Sequence, residues 1–261
     1  MLKFSIIINT HNQQNYIFQT INSCLNQKYK NYEIIIIDTS EKKISLKEKL
    51  YHHKKIKYFH YVSKYNQPEL NQMNKIFLGF KKSKGKYLIF LDGDDKFDKN
   101  KLLKLDKLIN KKKILCNQDL PIIFNKNFSK KLKIKTYKIR LFKFFLNDWP
   151  QIYGTSSITV KRNILKVFFN KAKPFKWSLL AIDAQIILFC KKYYEQTNYL
   201  SKITYKRMHE NNLGEDYLNI FKKKFWLRRK MQFEFSKFIN DKNKFSIDYF
   251  ITKIICTLLL F

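Results

Sequence analysis

A short apolar run that ends abruptly in acidic residues constrains this chain more than any other feature. Residues Tyr87–Leu91 are all apolar, and Asp92, Asp94 and Asp95 follow with only Gly93 between them. Such a run predicts a buried central strand of a largely parallel sheet. In open α/β sheets, ligands bind beyond the carboxyl ends of the strands, which is where these acids are expected.

Three neighbouring carboxylates repel one another, and this repulsion favours a bound cation. Mg²⁺ and Mn²⁺ bind carboxylate oxygens and leave coordination positions for substrate phosphates. The alternative is a turn whose Asp side chains cap the following helix. Asp95 or Asp98 suits that role, but capping does not require Asp92 and Asp94 as well. The residues therefore favour a site for Mg²⁺ or Mn²⁺ over a purely structural turn.

Strand and helix patterns alternate through the first part of the chain. Apolar runs separated by helical periodicity predict an α/β fold, with a mostly parallel sheet flanked by helices. A helix is expected over Pro68–Lys84, with Gly85 ending it as a left-handed cap. Polar residues follow two strands at Asn9–Asn12 and Asp38–Ser40, which predicts a pocket on the same rim as the acids. The additional predicted strands are Phe4–Ile8, Ile34–Ile37 and Ile56–Val62.

The composition and the absence of certain motifs limit the functional classes. The chain has 53 Lys and Arg residues against 20 Asp and Glu, a formal charge of +33, which favours anionic partners. Neither a GxGxxG nor a GxxxxGK[ST] motif is present, which argues against a dinucleotide site and a P-loop. The four isolated cysteines predict buried free thiols. No signal peptide or membrane-spanning run is evident, so a cytoplasmic location is expected.

Four segments match one family pattern in order and spacing. They are SIIINTHN at Ser5–Asn12, INSCLNQ at Ile21–Gln27, YEIIIID at Tyr32–Asp38 and the stretch Gly85–Asp95. Together they resemble the nucleotide-binding half of family 2 glycosyltransferases, which have the GT-A (Rossmann-like) fold. The resemblance implies a GT-A domain over residues 1–212, with a nucleotide-sugar-binding half (1–105) and an acceptor-side half (106–212). Residues 213–261 are then expected to form a basic, amphipathic helical extension.

The resemblance also implies roles for residues on the predicted rim. Asp94 would be the principal metal ligand, with Asp92 contacting the metal or the ribose, and His209 contacting metal or diphosphate. A structural role is the alternative for His209, and a solvent-exposed helix position is the alternative for Gln72. The residues expected to bind the nucleotide-sugar are Asn9, Thr10, His11, Asp38, Thr39, Gln72, Asp92 and Gly93.

Two positions depart from the family pattern. The family usually has a second acid where Thr39 stands, and often an asparagine where Phe77 stands. Thr39 can still hydrogen-bond a base edge but is not an anion, so the identity of the base, uracil included, is left open. A UDP-sugar is the favoured donor. The two departures are also compatible with a catalytically inactive relative that serves as a binding or assembly subunit.

The acceptor side is expected to include Trp149, Thr155 and Ser156. The segment GTSS at Gly154–Ser157 is similar to the family's segment beside the acceptor. Trp149 would stack on a sugar, with a core aromatic as the alternative. Asp183 precedes an apolar helical run, a context in which the family places its catalytic base, so the resemblance implies that Asp183 deprotonates the acceptor. An ordinary helix N-cap is the alternative for Asp183.

These roles imply an enzyme that transfers a sugar from a nucleotide-diphosphate donor to an acceptor hydroxyl. The expected reaction inverts the anomeric carbon, depends on Mg²⁺ or Mn²⁺ and serves surface polysaccharide, lipopolysaccharide or glycolipid synthesis. The expected acceptor is a glycan or a lipid-linked molecule. A basic nucleic-acid-binding protein is the rival class, but it leaves the three strand-end acids unexplained, so no nucleic acid partner is expected.

The C-terminal part combines aromatic and basic residues and then becomes amphipathic. Tyr217–Asn240 mixes aromatic side chains with Lys and Arg, and Ser246–Phe261 places its apolar residues on one helical face. Packing of both helices on the core is one interpretation. The other is peripheral contact with the anionic inner face of the cytoplasmic membrane.

Overall fold

The computed structural model of this chain contains two β-sheets and a set of flanking helices. It describes residues 2–46, 48–112, 114–125, 129–131, 149–194, 196–199, 203–208, 220–240 and 246–258. The strands are β1 (Phe4–Thr10), β2 (Tyr32–Asp38), β3 (Ile56–His60), β4 (Tyr87–Asp92), β5 (Lys96–Phe97), β6 (Cys116–Asp119), β7 (Ile122–Phe124), β8 (Ser129–Lys131), β9 (Ile158–Lys161), β10 (Gln196–Tyr199) and β11 (Thr204–Arg207). The helices are α1 (Ile17–Leu25), α2 (Glu48–Tyr51), α3 (Pro68–Lys82), α4 (Lys101–Lys112), α5 (Arg162–Lys171), α6 (Ile182–Tyr193), α7 (Lys223–Asn240) and α8 (Ile247–Leu258).

The larger sheet confirms the predicted α/β architecture. Among the described residues it has seven strands in the order β10-β6-β9-β4-β1-β2-β3, and β9 runs antiparallel to its neighbours in an otherwise parallel sheet. The register places Asn9 opposite Asp92 and Thr10 opposite Asp38. The polar ends of three strands therefore meet on one rim, as the sequence predicted.

Alternate side chains of the central strands pack into two separate apolar layers. Ile7 of β1 belongs to the layer that also contains side chains of α3, α5 and α6, whereas Ile6 and Ile8 belong to the layer of α1 and α4. This alternation follows from the two-residue period of a strand. Because both faces of the sheet are covered, the central strands consist almost entirely of apolar residues.

A smaller sheet brings a late segment of the chain beside the acidic turn. Its strand order is β5-β11-β7-β8, with β11 antiparallel to β5 and parallel to β7. Because β5 follows β4 after a short turn, residues 204–207 lie next to the segment that carries the acids. The sequence patterns did not predict this sheet, since its strands have only two to four residues and show no periodicity.

Gly85 does not adopt the left-handed conformation that the sequence analysis expected. Among the described glycines, the one with positive φ is Gly154, at 96°, and α3 ends at Lys82 with Ser83 as its C-cap residue. Gly85 is instead required by close packing, because a Cβ there would lie 2.5 Å from the backbone of Phe4 and Ser5. The glycine therefore permits the close approach of two strands.

The two C-terminal helices pack in different ways. α7 inserts Phe235 and Ile239 into the apolar core, where the rings of Trp177 and Phe235 meet edge-on at 5.4 Å between centroids. α8 lies against α7 and exposes much of its apolar side. Of the helices described, none combines the length and the apolar character that crossing a membrane requires. The predicted boundary between residues 212 and 213 lies outside the described residues and stays a prediction.

Candidate functional site

Asp92 is the residue around which the rim is assembled. Its Oδ1 accepts hydrogen bonds from Asn9 Nδ2 at 2.8 Å and Gln72 Nε2 at 3.0 Å. Gln72 Nε2 also lies 3.2 Å from Thr155 Oγ1, and the Asp92 N–H donates to Ser156 Oγ at 3.0 Å. The structure thus brings together residues that the sequence analysis had assigned separately to the donor and acceptor sides. Gln72 is part of this network, so its interpretation as a solvent-exposed position is wrong.

Gly93 occupies a position that is too crowded for any side chain. A Cβ there would lie 2.6 Å from Thr10 Oγ1 and 2.5 Å from Gln13 Oε1. The Thr20 hydroxyl lies 2.9 Å from the carbonyl oxygen of Gly93 and 2.8 Å from that of Asp95, so α1 holds the acidic turn in place. The Thr10 hydroxyl is buried and has no hydrogen-bond partner among the described residues. Such a group is one that a bound ligand would satisfy.

Asp95 faces β11 and serves the fold of the turn. Its Oδ1 accepts the backbone N–H of Arg207 at 2.8 Å, and Arg207 Nε donates to the carbonyl oxygen of Asp94 at 2.9 Å. The guanidinium group also lies 4.6 Å from the ring centroids of Tyr16 and Phe124. Arg207 therefore fastens the acidic turn to the smaller sheet.

Burial and mutual repulsion raise the pKa values of two acids in this turn. Burial is the larger cause for Asp92, whose pKa rises to about 6, and the charge of Asp94 adds to the rise. The charge of Lys206 acts in the opposite direction on Asp92. Burial, followed by the charges of Asp94 and Asp92, raises the pKa of Asp95 well above its ordinary value. The turn is therefore a place where added positive charge is electrostatically favourable.

Lys75 is a component of this rim that the sequence analysis did not single out. It is buried on α3, and its Nζ donates to the carbonyl oxygen of Thr10 at 3.3 Å. Burial lowers the pKa of Lys75 to about 8, while the nearby carboxylates oppose that effect. A signal for it was present in the sequence, because Lys75 follows Gln72 by three residues and so shares its helix face.

Lys206 is a second cation that the sequence analysis overlooked. It lies on β11, and a methyl group placed on Gly154 would lie 3.0 Å from its Nζ. Its charge lowers the pKa of Asp92, which places the ammonium group within electrostatic reach of that carboxylate. Only the pairing of the smaller sheet with the acidic turn brings Lys206 there, so no periodic pattern in the sequence could reveal it.

Asp38 is buried at the end of β2 and organises the loop that follows. Its Oδ1 accepts the Ser40 N–H at 2.8 Å and the Ser40 hydroxyl at 2.5 Å, and its Oδ2 accepts the Ile44 N–H at 3.2 Å and the Tyr58 hydroxyl at 2.6 Å. Burial by itself acts to raise the pKa of Asp38, but these hydrogen bonds outweigh burial and hold the pKa below its ordinary value. Direct contact between Asp38 and a nucleotide stays a prediction.

Thr39 and His11 close the adjacent loop. The Thr39 N–H donates to the carbonyl oxygen of Thr10 at 3.1 Å, and His11 Nδ1 lies 2.7 Å from the carbonyl oxygen of Thr39. Thr39 is buried, whereas His11 is exposed. Both residues therefore lie at the carboxyl ends of β1 and β2, where nucleotide contacts were expected.

Asp183 lies in the first turn of α6 but is not its N-cap. The N-cap position is Ala181, which makes no side-chain capping hydrogen bond. Among the described contacts, the Asp183 carboxylate accepts the N–H of Ala184 at 2.7 Å. The neighbouring Ile182 is fully buried while Asp183 is half-buried. The catalytic role of Asp183 stays a prediction.

Two aromatic residues from the sequence analysis pack in the core, and one candidate cannot be placed. Trp149 meets Phe233 of α7 edge-on, with 4.8 Å between ring centroids, which supports the core alternative for Trp149 over stacking on a sugar. Phe77 packs edge-on against Phe169 at 4.9 Å, so this departure from the family pattern extends the core. His209 lies outside the described residues.

The carboxylates of the acidic turn fit a divalent cation that shares its coordination with a ligand. Asp94 and Asp92 lie at the end of β4, while Asp95 is engaged with β11. In the part of the chain that the structure describes, no three His, Cys, Asp or Glu side chains are arranged to hold a metal by themselves. Mg²⁺ commonly binds through one or two carboxylates, and water and phosphate oxygens complete its shell. The donor set at this turn fits that pattern.

The sheet order and the acidic strand end with its polar partners are those of an α/β domain with the GT-A fold. The family described as glycosyl transferase family 2 matches residues 5–169, which is well over half of the chain. This protein belongs to that family.

Two bacterial relatives match less than half of this chain. A Rickettsia bellii protein named as an uncharacterized glycosyltransferase is 45% identical over 102 residues, which are 38% of this chain and 14% of that protein. A Haemophilus influenzae protein with the same description is 37% identical over 103 residues, which are 38% of this chain and 39% of that protein. The matched region therefore spans well under half the length of these relatives.

Solved structures of Staphylococcus aureus TarS residues 1–349 have a similar fold. The complex with UDP has a TM-score of 0.61 at 17% sequence identity, covering 99% of this chain and 71% of that chain. The complex with UDP-GlcNAc has a TM-score of 0.63 at 14% sequence identity, covering 99% of this chain and 72% of that chain. Together with the family match, this similarity confirms the predicted GT-A fold.

Replacing Asp38 with Asn should lower the free energy of unfolding and make that free energy depend less on pH in the acid range. Hydrogen bonds to a charged group are worth about 1.5–3 kcal/mol, so we expect a loss of about that size at neutral pH. The folded pKa lies below the unfolded value of about 3.9. The stabilisation that ionised Asp38 provides is therefore complete above the unfolded pKa and is lost as the pH falls through the folded pKa. Urea unfolding of both proteins across the acid range measures it.

The matched control for this prediction is Glu41→Gln, an exposed change in the same loop. It should leave both the stability and its pH profile as in the wild type. Equal acid dependence in Asp38→Asn and wild-type protein would contradict the role assigned to the Asp38 hydrogen bonds.

Proposed function

We propose that this chain contains the catalytic domain of a glycosyltransferase that moves a sugar from a nucleotide-diphosphate donor to an acceptor hydroxyl. One observation carries the proposal: in a family 2 chain, Asn9 and Gln72 fix the Asp92 carboxylate at the carboxyl ends of β1 and β4. The buried Thr10 hydroxyl, which lacks a partner among the described residues, supports a ligand at the same rim.

The proposed donor is a UDP-sugar. The TarS structures of similar fold are complexes with UDP and UDP-GlcNAc, which supports a uridine nucleotide here. In this proposal, the base and ribose lie against the loops that Thr39, His11 and Asp38 form after β1 and β2. A threonine hydroxyl can donate to or accept from a base edge, so it can replace an acid at this position.

Asp94 and Asp92 are the proposed ligands of Mg²⁺ or Mn²⁺. When bound, the ion supplies positive charge that stabilises the departing diphosphate. Hydrogen bonds from Asn9 and Gln72 hold the Asp92 carboxylate in position for this ion. A hydrogen bond from Arg207 holds the backbone carbonyl of Asp94. Asp95 is excluded from the ligand set by its bond to β11.

Lys206 is proposed to bind the donor diphosphate. The argument rests on its position beside Gly154 and on its electrostatic effect on Asp92. A lysine acts as a point charge toward phosphate and adds to the stabilisation of the leaving group. Lys75 is buried and already donates to Thr10, so its proposed role is to hold β1 at the rim.

Asp183 is proposed to remove the proton from the acceptor hydroxyl. It is half-buried in the first turn of α6, between the buried side chains of Ile182 and Ala184. Direct attack of the acceptor oxygen on the anomeric carbon then proceeds with inversion and needs no covalent intermediate.

The proposed acceptor is a glycan or a lipid-linked molecule used in surface polysaccharide, lipopolysaccharide or glycolipid synthesis. The proposed location is cytoplasmic, with peripheral contact at the inner face of the cytoplasmic membrane. The formal charge of +33 supports such contact, because anionic lipids attract basic surfaces.

Asp94→Asn should abolish metal-dependent nucleotide binding. We expect UDP to raise the melting temperature of the wild-type protein in the presence of Mg²⁺ or Mn²⁺, because a ligand that binds only the folded state stabilises it. The variant should keep its fold, measured by circular dichroism, and lose the shift. Glu48→Gln, an exposed change on α2, is the control. A full metal-dependent shift in Asp94→Asn would exclude Asp94 as a ligand.

Lys206→Met should weaken UDP binding by about ten-fold or more. A charge-assisted hydrogen bond is worth about 1.5–3 kcal/mol, and about 1.4 kcal/mol corresponds to ten-fold in affinity. Lys206→Arg keeps the charge and should retain most of the binding. Lys166→Met removes an exposed lysine on α5 and should have no effect. Isothermal titration with UDP measures all three variants, and unchanged affinity in Lys206→Met would remove Lys206 from the site.

Asp183→Asn should reduce sugar transfer while leaving UDP binding intact. Loss of a general base costs roughly 10²–10⁴-fold in rate, and we expect a loss in that range with donor hydrolysis or transfer as the assay. An acid in the first helical turn adds only about 0.3–1 kcal/mol of stability, so the melting temperature should change little. Glu234→Gln is the control on α7. A wild-type rate in Asp183→Asn would eliminate it as the base.

A further inference from the structure

Helix α8 is fastened to the protein by its polar side. Asp248, Thr252 and Cys256 are buried, with 8%, 0% and 2% of their surfaces exposed. Arg229 Nη2 of α7 lies 2.6 Å from both carboxylate oxygens of Asp248. The Thr252 hydroxyl donates back to the carbonyl oxygen of Asp248 at 2.7 Å. The Arg229–Asp248 ion pair fixes which side of α8 faces inward, whereas the Thr252 bond lies within the helix.

The apolar side of α8 consequently faces outward. This is the reverse of the core-packing interpretation, which requires the apolar residues to be buried. A continuous apolar stripe on a surface is typical of a site that contacts another molecule or a membrane. The stripe consists of Ile247, Phe250, Ile251, Ile254 and Leu258, with exposed fractions from 38% to 69%.

The two C-terminal helices carry more basic than acidic residues. Lys253 is exposed on α8, in sequence between Phe250 and Ile254. Asp248, the acidic residue of α8, is buried and paired with Arg229, so it contributes no exposed negative charge. Over Lys223–Asn240, the adjoining helix α7 carries six Lys and Arg residues and one Glu. The two helices therefore combine an apolar stripe with a net positive charge.

An anionic lipid surface matches both properties of the two helices. Amphipathic helices with basic residues bind in the plane of the membrane, with their apolar side at the boundary of headgroups and acyl chains. A second copy of this chain is a poorer match, because each copy has a formal charge of +33 and the helices would bring like charges together. With 12 residues, α8 is about 18 Å long, too short to cross a hydrocarbon core of roughly 30 Å.

We infer that α8 is the membrane-contacting element of this protein, with Phe250, Ile251, Ile254 and Leu258 entering an anionic lipid surface. The Arg229–Asp248 ion pair holds the helix in the orientation that presents them. This inference deepens the proposed peripheral location and does not depend on the sugar-transfer reaction or on the nucleotide site.

Vesicle co-sedimentation of the full chain tests the inference. The wild-type protein should bind vesicles of phosphatidylcholine with phosphatidylglycerol and should bind pure phosphatidylcholine at least about ten-fold more weakly. Added salt should release it, because charge attraction is screened within about 10 Å at 0.1 M. The double variant Phe250→Ser, Ile254→Ser should lose about ten-fold or more in binding. The control Val62→Ser removes an 88% exposed apolar side chain elsewhere and should bind as the wild type.

A second measurement keeps the apolar side intact. On addition of anionic vesicles, the tryptophan fluorescence of Phe250→Trp should shift to the blue by more than that of the wild-type protein. Brominated lipids should quench this fluorescence. Unchanged vesicle binding in the double variant, or no quenching in Phe250→Trp, would overturn the inference. Sedimentation velocity gives a further test. A wild-type protein that dimerises and does not bind vesicles, together with a monomeric double variant, would also overturn the inference. UDP titration of the same samples reports the nucleotide site separately, because these residues are not part of it.

Discussion

The hydrogen bonds that converge on Asp92 are the interaction on which the rest of the site depends. A buried carboxylate is costly unless it is paired or hydrogen-bonded. Here Asn9 and Gln72 donate to the Asp92 carboxylate and the Asp92 N–H donates to the Ser156 hydroxyl, and these partners come from parts of the chain 20 to 83 residues away. The site is therefore assembled only when β1, α3 and the segment before β9 are all in place. Folding and the preparation of the rim are one process.

Net charge and local charge have opposite signs in this protein. The chain carries a formal charge of +33, yet its central strand ends in three acids, and burial together with the charge of Asp94 raises the pKa of Asp92 to about 6. The nearby cations have separate tasks. Arg207 secures the turn, Lys75 donates to β1, and Lys206 lies beside Gly154 at the rim. Lys101 is fully buried and paired with Asp119, whereas many of the other described basic residues are exposed, where they favour contact with anionic surfaces.

Much of the site was predictable because parallel strands end on a common edge. The apolar runs fixed β1, β2 and β4, and the polar residues after each run identified Asn9, Asp38 and Asp92. Lys206 was missed because β11 has four residues and is positioned by pairing with β5, which no local pattern encodes. The prediction of a left-handed conformation at Gly85 was wrong. Glycine is required there by close packing against β1 and not by a turn. In both cases the deciding interaction is between distant segments.

The C-terminal helices show the same division between sequence and tertiary structure. The sequence by itself determined that residues 247–258 form an amphipathic helix, because the spacing of apolar residues matches the helical repeat. It also determined the alternating pattern of the α/β sheet and the acidic end of its central strand. Only the tertiary structure decided that α8 turns its apolar side outward, since Arg229 and Asp248 meet only after α7 and α8 pack. Likewise, only the packed sheet decided that Asp95 supports β11 while Asp92 and Asp94 lie at the rim. Periodicity records which side of an element is apolar, whereas long-range ion pairs and hydrogen bonds decide where that side points.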